Sequence, residues 1–565
     1  MTNPNEDRWL DLDTLLAELL AEQCISAVDR SNCTPLQHDQ HPLEWIASQQ
    51  LADLRNPGQC LDLDALCQWQ AKQAGQPYLR IDPLETDLAR LTGLMSAAFA
   101  RRHGILAVAA DASGVTVASA QPYVRAWEAD LAQALQRPIK RVLASPVQIR
   151  QLSQTFFQVA QSVSGASQQQ SVPIAAGNLE QLLEVGSRAN EVQANDAHIV
   201  SIVDWLLQYA FEQRASDIHL EPRREQGQLR FRIDGVLHPV YQFPAPVTLA
   251  VVSRLKSLGR MNVAEKRRPQ DGRIKTRLPD GEEVELRLST LPTTFGEKLV
   301  LRVFDPQLLH QDFAQLGLGA ADLKRWLAML GQRHGIILVT GPTGSGKTST
   351  LYASLKHLAT PQINLCTVED PIEMVEPAFN QLQVQPAINL DFAAGTRALL
   401  RQDPDVIMIG EIRDLETAEV AIQAALTGHL VLSTLHTNDA CSAITRLLEL
   451  GIAPYLLKAS LIGVIAQRLV RTLCDHCKAA PTAPMHSHQA VGCGECRQTG
   501  YHGRSAIFEL LGISDALKAR IEPDLDLLAL RRLALDEGML SLKHSGAEKV
   551  AAGQTTEAEV LRVIA

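Results

Sequence analysis

The chain has 565 residues, 46% of them hydrophobic, 21% charged and 4% aromatic, with a formal net charge of −10. This is the composition of a globular protein of roughly three or four domains. The acidic balance argues against nucleic acid as the main partner. No run is apolar for long enough to span a bilayer, and the polar Met-Thr-Asn-Pro-Asn-Glu-Asp start has no signal-peptide pattern, so a cytoplasmic protein is expected.

Residues 1–160 hold four of the six tryptophans and read as a mixed α/β unit. Asp11–Gln23 and Leu61–Ala74 predict helices. Gly104–Ala110 and Val115–Ser119 predict strands joined by a hairpin at Asp111-Ala-Ser-Gly114. The run Ser-Val-Ser-Gly-Ala-Ser-Gln-Gln-Gln-Ser within 161–180 is small and polar, so 161–190 is expected to be a flexible linker, about twenty residues of which reach roughly 25 Å. The N-terminal unit is then expected to move relative to the rest. Residues 191–308 read as a second α/β unit. Its helix His198–Arg214 has the stripe Ile199, Ile202, Val203, Leu206 and Leu207. Gln228–Ile233 alternates like a strand before an Asp234-Gly235 turn, and Arg273–Leu278 and Glu283–Leu288 flank a hairpin at Pro279-Asp-Gly281. From 309 to 565 the strands are continuous apolar runs, as in a parallel sheet covered on both faces.

Chemistry concentrates in this last region. Gly341-Pro342-Thr343-Gly344-Ser345-Gly346-Lys347-Thr348 matches the phosphate-binding pattern G-x-x-x-x-G-K-[ST], with a predicted strand (Gly335–Thr340) before it and a helix (Ser349–Lys356) after it. Strand, glycine-rich loop and helix start turn successive N–H groups toward an anion. Lys347 supplies charge for the β- and γ-phosphates of ATP, and the Thr348 hydroxyl is a ligand for Mg²⁺. Asp405–Glu411 reads as a strand delivering a carboxylate at its end. Glu411 there either holds Mg²⁺ through water or orients the attacking water. The plainer alternative is a buried strand followed by a helix capped by Asp414. Leu365–Glu373 is another strand ending in acids. Glu369, Asp370 and Glu373 are expected to cluster for metal or water positioning, a solvated acidic turn being the alternative. His429 and His436 bracket a further strand, and His436 is a candidate reporter on the γ-phosphate.

The order of Thr367-Val-Glu-Asp-Pro-Ile-Glu373, Gly410-Glu-Ile-Arg-Asp414 and Ser433-Thr-Leu-His-Thr-Asn-Asp439 after the phosphate loop resembles the secretion ATPase family of type II secretion and type IV pilus assembly. Ala215-Ser-Asp-Ile-His-Leu-Glu-Pro222, Arg230–Leu237, Arg268-Pro-Gln-Asp-Gly-Arg273 and Leu291–Lys298 fit it too, so the resemblance covers about 195–565. It implies an α/β fold: a RecA-like core, a preceding PAS-like α/β domain, a separate N-terminal α/β domain and a small zinc-binding subdomain. It also implies a homo-hexamer in which arginines of the preceding domain close over the nucleotide, with Arg230, Arg232, Arg268 and Arg273 the candidates. Ion pairs on strand faces are their alternative role.

Cys474-Asp-His-Cys477 and Cys493-Gly-Glu-Cys496, fifteen residues apart, have the spacing of a structural zinc site within 470–500. Four sulfurs leave no open position, so no catalytic zinc is expected. In the family such an element is typical of secretion and pilus-extension members. Some relatives bind cyclic di-GMP in the N-terminal region through Arg-Leu-Gly-type repeats. None is found here, so that ligand is not expected, and docking to inner-membrane platform proteins is. The leading expectation is a motor powering secretion or pilus assembly from the inner face of the inner membrane. Residues Gly341–Ser349 hold ATP and Glu411, favoured over Glu373, positions the water. A nucleic-acid translocase or helicase on a similar core is the alternative, and a nucleotide-gated scaffold that hydrolyses nothing is a third.

Overall fold

The computed structural model describes residues 7–32, 40–55, 60–82, 86, 91–169, 196–277, 281, 283–304, 312–481, 487–493 and 495–564. Residues 170–190 of the expected linker, the 308/309 boundary, and Pro279 and Asp280 of the expected hairpin turn lie outside these. The chain divides into two compact units, Met1–Val303 and Phe304–Ala565.

In the first unit the expected hairpin is present. β1 (Ile105–Asp111) pairs antiparallel with β2 (Gly114–Ser119), Asp111 opposite Gly114, and β3 (Ile139–Leu143) joins β2 in parallel. The helices expected near the N-terminus form over Leu12–Ala21, capped by Asp11, and Leu63–Ala74, capped by Asp62. Six more strands make the second sheet: β4 (Asp217–Pro222), β5 (Gln226–Ile233), β6 (Val236–Pro244), β7 (Gln270–Arg277), β8 (Glu283–Thr293) and β9 (Gly296–Phe304), in the order β6-β5-β4-β9-β8-β7. Asp234 and Gly235 make the β5–β6 turn, both with positive φ. Alternation along β4 and β5 sends Ile218, Leu220, Leu229 and Phe231 into the core and Asp217, His219, Glu221, Arg230 and Arg232 to the other face.

The stretch 161–169 is not linker: it is the end of a 24-residue helix, Pro146–Gln169. That helix packs on the helix Ala197–Glu212, burying Val163 and Ala166, and residues from both sides of 160 share one core. Phe156 lies edge-on to Trp205 and Tyr209, with ring centroids 6.1 and 6.0 Å away. The small residues that suggested flexibility serve close approach instead. A Cβ on Gly165 would fall 2.6 Å from the His198 ring, so a larger residue there would have to push that ring aside.

The second unit is built on seven strands: β10 (Gly335–Thr340), β11 (Leu365–Glu369), β12 (Asn380–Gln383), β13 (Val406–Ile409), β14 (Leu430–Leu435), β15 (Leu461–Leu473) and β16 (Tyr501–Gly512), in the order β12-β11-β13-β14-β10-β15-β16. All pairings are parallel except β15–β16. Every residue of β10, β11, β13 and β14 is buried, which is why their sequences lack the alternation of a one-sided strand. Parallel pairing ends β10, β11, β13 and β14 on one edge of the sheet, where ligands of such sheets bind.

Phe156→Ala should destabilise the first unit by about 3–5 kcal/mol, the usual cost of emptying a buried aromatic site. Chemical denaturation checks this. A denaturation midpoint unchanged from that of the unaltered protein would overturn the packing of Phe156 against Trp205 and Tyr209 as a source of stability.

Candidate nucleotide site

β10 runs straight into the loop Gly341–Gly346, and the helix Lys347–Leu358 begins at its end. Gly341, Gly344 and Gly346 all have positive φ, at 151°, 80° and 88°. Two of them are also tightly enclosed. A Cβ at Gly341 would sit 2.6 Å from both the Gln467 carbonyl oxygen and Ser345 Oγ, and one at Gly346 would sit 2.7 Å from Gln467 Nε2. Thr340 ties the strand end to the segment after β14: its hydroxyl lies 2.7 Å from Thr437 Oγ1 and accepts from Thr437 N–H at 2.9 Å.

Lys347 Nζ donates to the loop's own carbonyls, Gly341 O at 2.8 Å and Pro342 O at 3.1 Å. Burial lowers its pKa to about 8, with Glu411 opposing the shift and Arg468 adding to it. Ser345 Oγ is buried, its residue 3% exposed, with no partner among the described residues. A loop with positive-φ glycines, an unengaged hydroxyl and an ammonium held only by carbonyls fits a polyphosphate.

Glu411 follows β13, whose end is held by Ser433 Oγ donating to Ile409 O at 2.7 Å and Thr434 Oγ1 donating to Gly410 O at 2.7 Å. Arg413 donates to Glu411 Oε1, and His436 Nε2 lies 3.4 Å from Glu411 Oε2. The structure therefore brings His436 to Glu411, and Glu411 into the electrostatic field of Lys347. Asp414 caps the helix Leu415–Leu426 as expected, accepting from Thr417 N–H.

The expected acidic cluster does not form. Glu369 turns inward, 3% exposed, accepting from Tyr352 at 2.6 Å, Thr367 at 2.6 Å and Gln381 at 3.1 Å. Burial of the Tyr352 phenol, and then the charge of Glu369 beside it, push that group well above the usual range. A carboxylate with three donors inside the core is a structural tie. The charge of Glu373 acts on Tyr352 and that of Asp370 on Arg413. His429 contacts Thr427 and Ala424 O, closing the turn before β14.

The four candidate arginines lie in the first unit. Arg230 pairs with Glu221 at 2.7 Å, Arg232 with Asp217 at 3.6 Å and Arg273 with Glu285 at 3.3 Å, while Arg268 is exposed with no ion pair among the described residues. Sequence reasoning missed Gln467 and Arg468. Arg468 is nearly buried and donates to Asn438 O at 2.7 Å and Gln467 O at 3.1 Å. The signal was a polar pair inside the apolar run Leu461–Leu473.

The four cysteines of the 470–500 segment converge, with all Sγ atoms within 4.8 Å of one another. Cys474–Cys493 and Cys477–Cys496 are 3.8 and 3.6 Å apart, close to the roughly 3.8 Å that four sulfurs take around an ion with ~2.3 Å bonds. Backbone N–H groups of Cys493 and Gly500 point at Cys496 Sγ, at 3.1 and 3.2 Å, as suits a thiolate. No other group of three or more possible ligands converges among the described residues.

Sheet, loop and the carboxylate at the end of β13 define a P-loop ATPase. The model of the type II/IV secretion system protein family matches residues 192–562, and that of the MshEN domain matches 74–163. The chain belongs to the type II/IV secretion system protein family. It is 50% identical to the type IV pilus assembly ATPase TfpB of Acinetobacter baylyi over 98% of each chain. It is 45% identical to the type II secretion system protein E of Pseudomonas aeruginosa over 73% of this chain and 83% of that one. The ATPase DotB of Legionella pneumophila shares the fold, with a TM-score of 0.50 at 21% identity, covering 64% of this chain and 95% of that one. These relationships support an ATPase of secretion or pilus assembly over a nucleic-acid translocase. No helix among the described residues is long and apolar enough to cross a membrane.

Lys347 loses its proton as pH rises through about 8, and the neutral amine offers no charge to a phosphate. ATP affinity should therefore fall above pH 8, by up to tenfold per pH unit, because binding must return the proton. Lys347→Arg should bind more weakly with no such slope, its guanidinium staying charged. Titrations between pH 7 and 9.5 decide this, and a flat wild-type profile would overturn it.

Proposed function

We propose that the protein is the hexameric motor of a type II secretion or type IV pilus machine, working at the cytoplasmic face of the inner membrane through platform and docking proteins. The observation that carries this is the meeting of Lys347, Glu411 and His436 at the carboxyl ends of neighbouring strands in a chain of this family. Gly341–Ser349 cradle the phosphates of ATP with backbone N–H groups and Lys347. Thr348 and Glu411 would hold Mg²⁺, which neutralises phosphate charge when bound. Glu411 orients the attacking water, and His436 and Arg413 fix the carboxylate from either side. The spare acid, Glu373, sits beside Tyr352 and is the weaker candidate.

Arg230, Arg232, Arg268 and Arg273 are proposed to complete the site from the 191–308 region. A triphosphate would draw Arg230 and Arg232 from their carboxylate partners, while Arg268 needs no release. An arginine so supplied contributes about 10³–10⁵ in rate. Cys474, Cys477, Cys493 and Cys496 are proposed to hold zinc, which would hold the 470–500 segment folded. The N-terminal region, residues 1–160, is proposed as the docking element, and cyclic di-GMP is not expected to act on it.

Glu411→Gln should lower turnover by about 10²-fold or more while nucleotide still binds. Retained turnover would move the role to Glu373, to be tested with Glu373→Gln. DNA, RNA and cyclic di-GMP should leave the wild-type rate unchanged, and strong stimulation by nucleic acid would favour the translocase. Elemental analysis should find one zinc per chain, lost in Cys477→Ser. A wild-type chain without zinc would remove the metal from the proposal.

A further inference from the structure

Parallel pairing of β10 with β15 sets Thr340 opposite Ala466, so the next residue of β15, Gln467, stands beside the first residue of the phosphate loop. β15 continues past the end of β10 and walls the loop on that side. Gln467 is fully buried. Its amide is half engaged: Thr350, on the first turn of the Lys347–Leu358 helix, donates to Gln467 Oε1 at 2.7 Å, while Nε2 has no partner among the described residues and faces Gly346. A buried amide donor without an acceptor costs about 1–3 kcal/mol, so it calls for an explanation. Below it the polar chain continues. Ser354 donates to Thr350 O at 2.7 Å and Trp326 donates to Ser354 at 3.1 Å, which holds Thr350 rigidly.

Lys347 Nζ now occupies the Gly341 and Pro342 carbonyls. When the ammonium turns to a triphosphate, those carbonyls lose their donor. Two buried, unengaged groups stand beside the loop: Ser345 Oγ, against Gly341, and Gln467 Nε2, against Gly346.

We propose that Gln467 is a positioning residue of the nucleotide site, whose amide, anchored on Thr350 and set against Gly346, finds its acceptor in the backbone of the phosphate loop when nucleotide binds. This rests on the reading of the loop as a triphosphate site. Gln467 touches no phosphate and no water in the reaction; it holds the loop in its bound shape.

The test measures equilibrium binding of a fluorescent ATP analogue, steady-state ATPase kinetics and thermal melting for wild type, Gln467→Met, Thr350→Val, Thr350→Ser and the double variant Gln467→Met/Thr350→Val. Gln467→Met keeps the volume and removes the donor. Expected is a rise in Kd and KM of about tenfold, the equivalent of one buried hydrogen bond, with kcat within about threefold. Thr350→Val should act in the same direction, Thr350→Ser should bind like wild type, and the double variant should be no worse than the poorer single one. A Kd within twofold of wild type in Gln467→Met, or additive effects in the double variant, would overturn the proposal. A lowered melting temperature with unchanged Kd would also overturn it, since that marks a packing role alone. Should Gln467→Met not fold, the comparison of Thr350→Val with Thr350→Ser decides: equal affinities overturn the proposal. Failure of the wild type itself to bind the analogue would instead overturn the nucleotide reading.

Discussion

Everything at the candidate site depends on β10 being clamped between two parallel neighbours. Its pairing with β14 and β15 fixes where the strand stops, and the loop must begin there. On one side Thr340 is bound to Thr437, so the segment carrying His436 is registered to the loop's first residue. On the other side Gln467 and Leu469 form a wall against the glycines. A loop that must bind an anion with its backbone has few side chains of its own to hold it. Its shape is borrowed from the strands around it, and the close contacts at Gly341 and Gly346 show how little freedom they leave.

Charge is arranged on this frame with the same economy. Lys347 and Arg413 lie in the field of Glu411, while Arg468 lies in that of Asp439 and Glu509. Burial depresses the pKa of both Lys347 and Arg468, the acids beside each opposing the shift. Glu369, by contrast, is fully supplied with donors inside the core. Two carboxylates at the ends of neighbouring strands thus take opposite parts, one exposed to the reaction edge and one bracing the sheet.

In the first unit the decisive feature is the helix Pro146–Gln169. Its sequence ends in small and polar residues that look like tether, yet those residues let it lie against Ala197–Glu212, where a larger one at Gly165 would have to push the His198 ring aside. Buried residues between Ile81 and Ala166 therefore share one core with the six-stranded sheet. On that sheet's other face, acids on β4 are matched by cations on β5 and β9, including Arg302 to Asp217 at 3.1 Å and Lys298 to Glu221 at 3.0 Å. Arg230 and Arg232 belong to these ion pairs.

Local pattern determined a large part of this. The phosphate loop with its strand and helix, the buried strands of the second unit, the β1–β2 hairpin, the Asp414 cap and the two cysteine pairs were legible because each is set by neighbours within a few residues: glycine φ angles, hydrophobic period, cap and knuckle spacing. Three things were not legible. The inward turn of Glu369 depends on Tyr352 and Gln381, 17 and 12 residues away in sequence. The role of Gln467 depends on a strand more than a hundred residues after the loop, and Thr350, its partner, is 117 residues distant. The linker reading failed because composition reports how small a side chain is, not whether another helix lies against it. Tertiary structure decided these points because hydrogen bonds and close packing act across space, and only the folded sheet brings their two halves together.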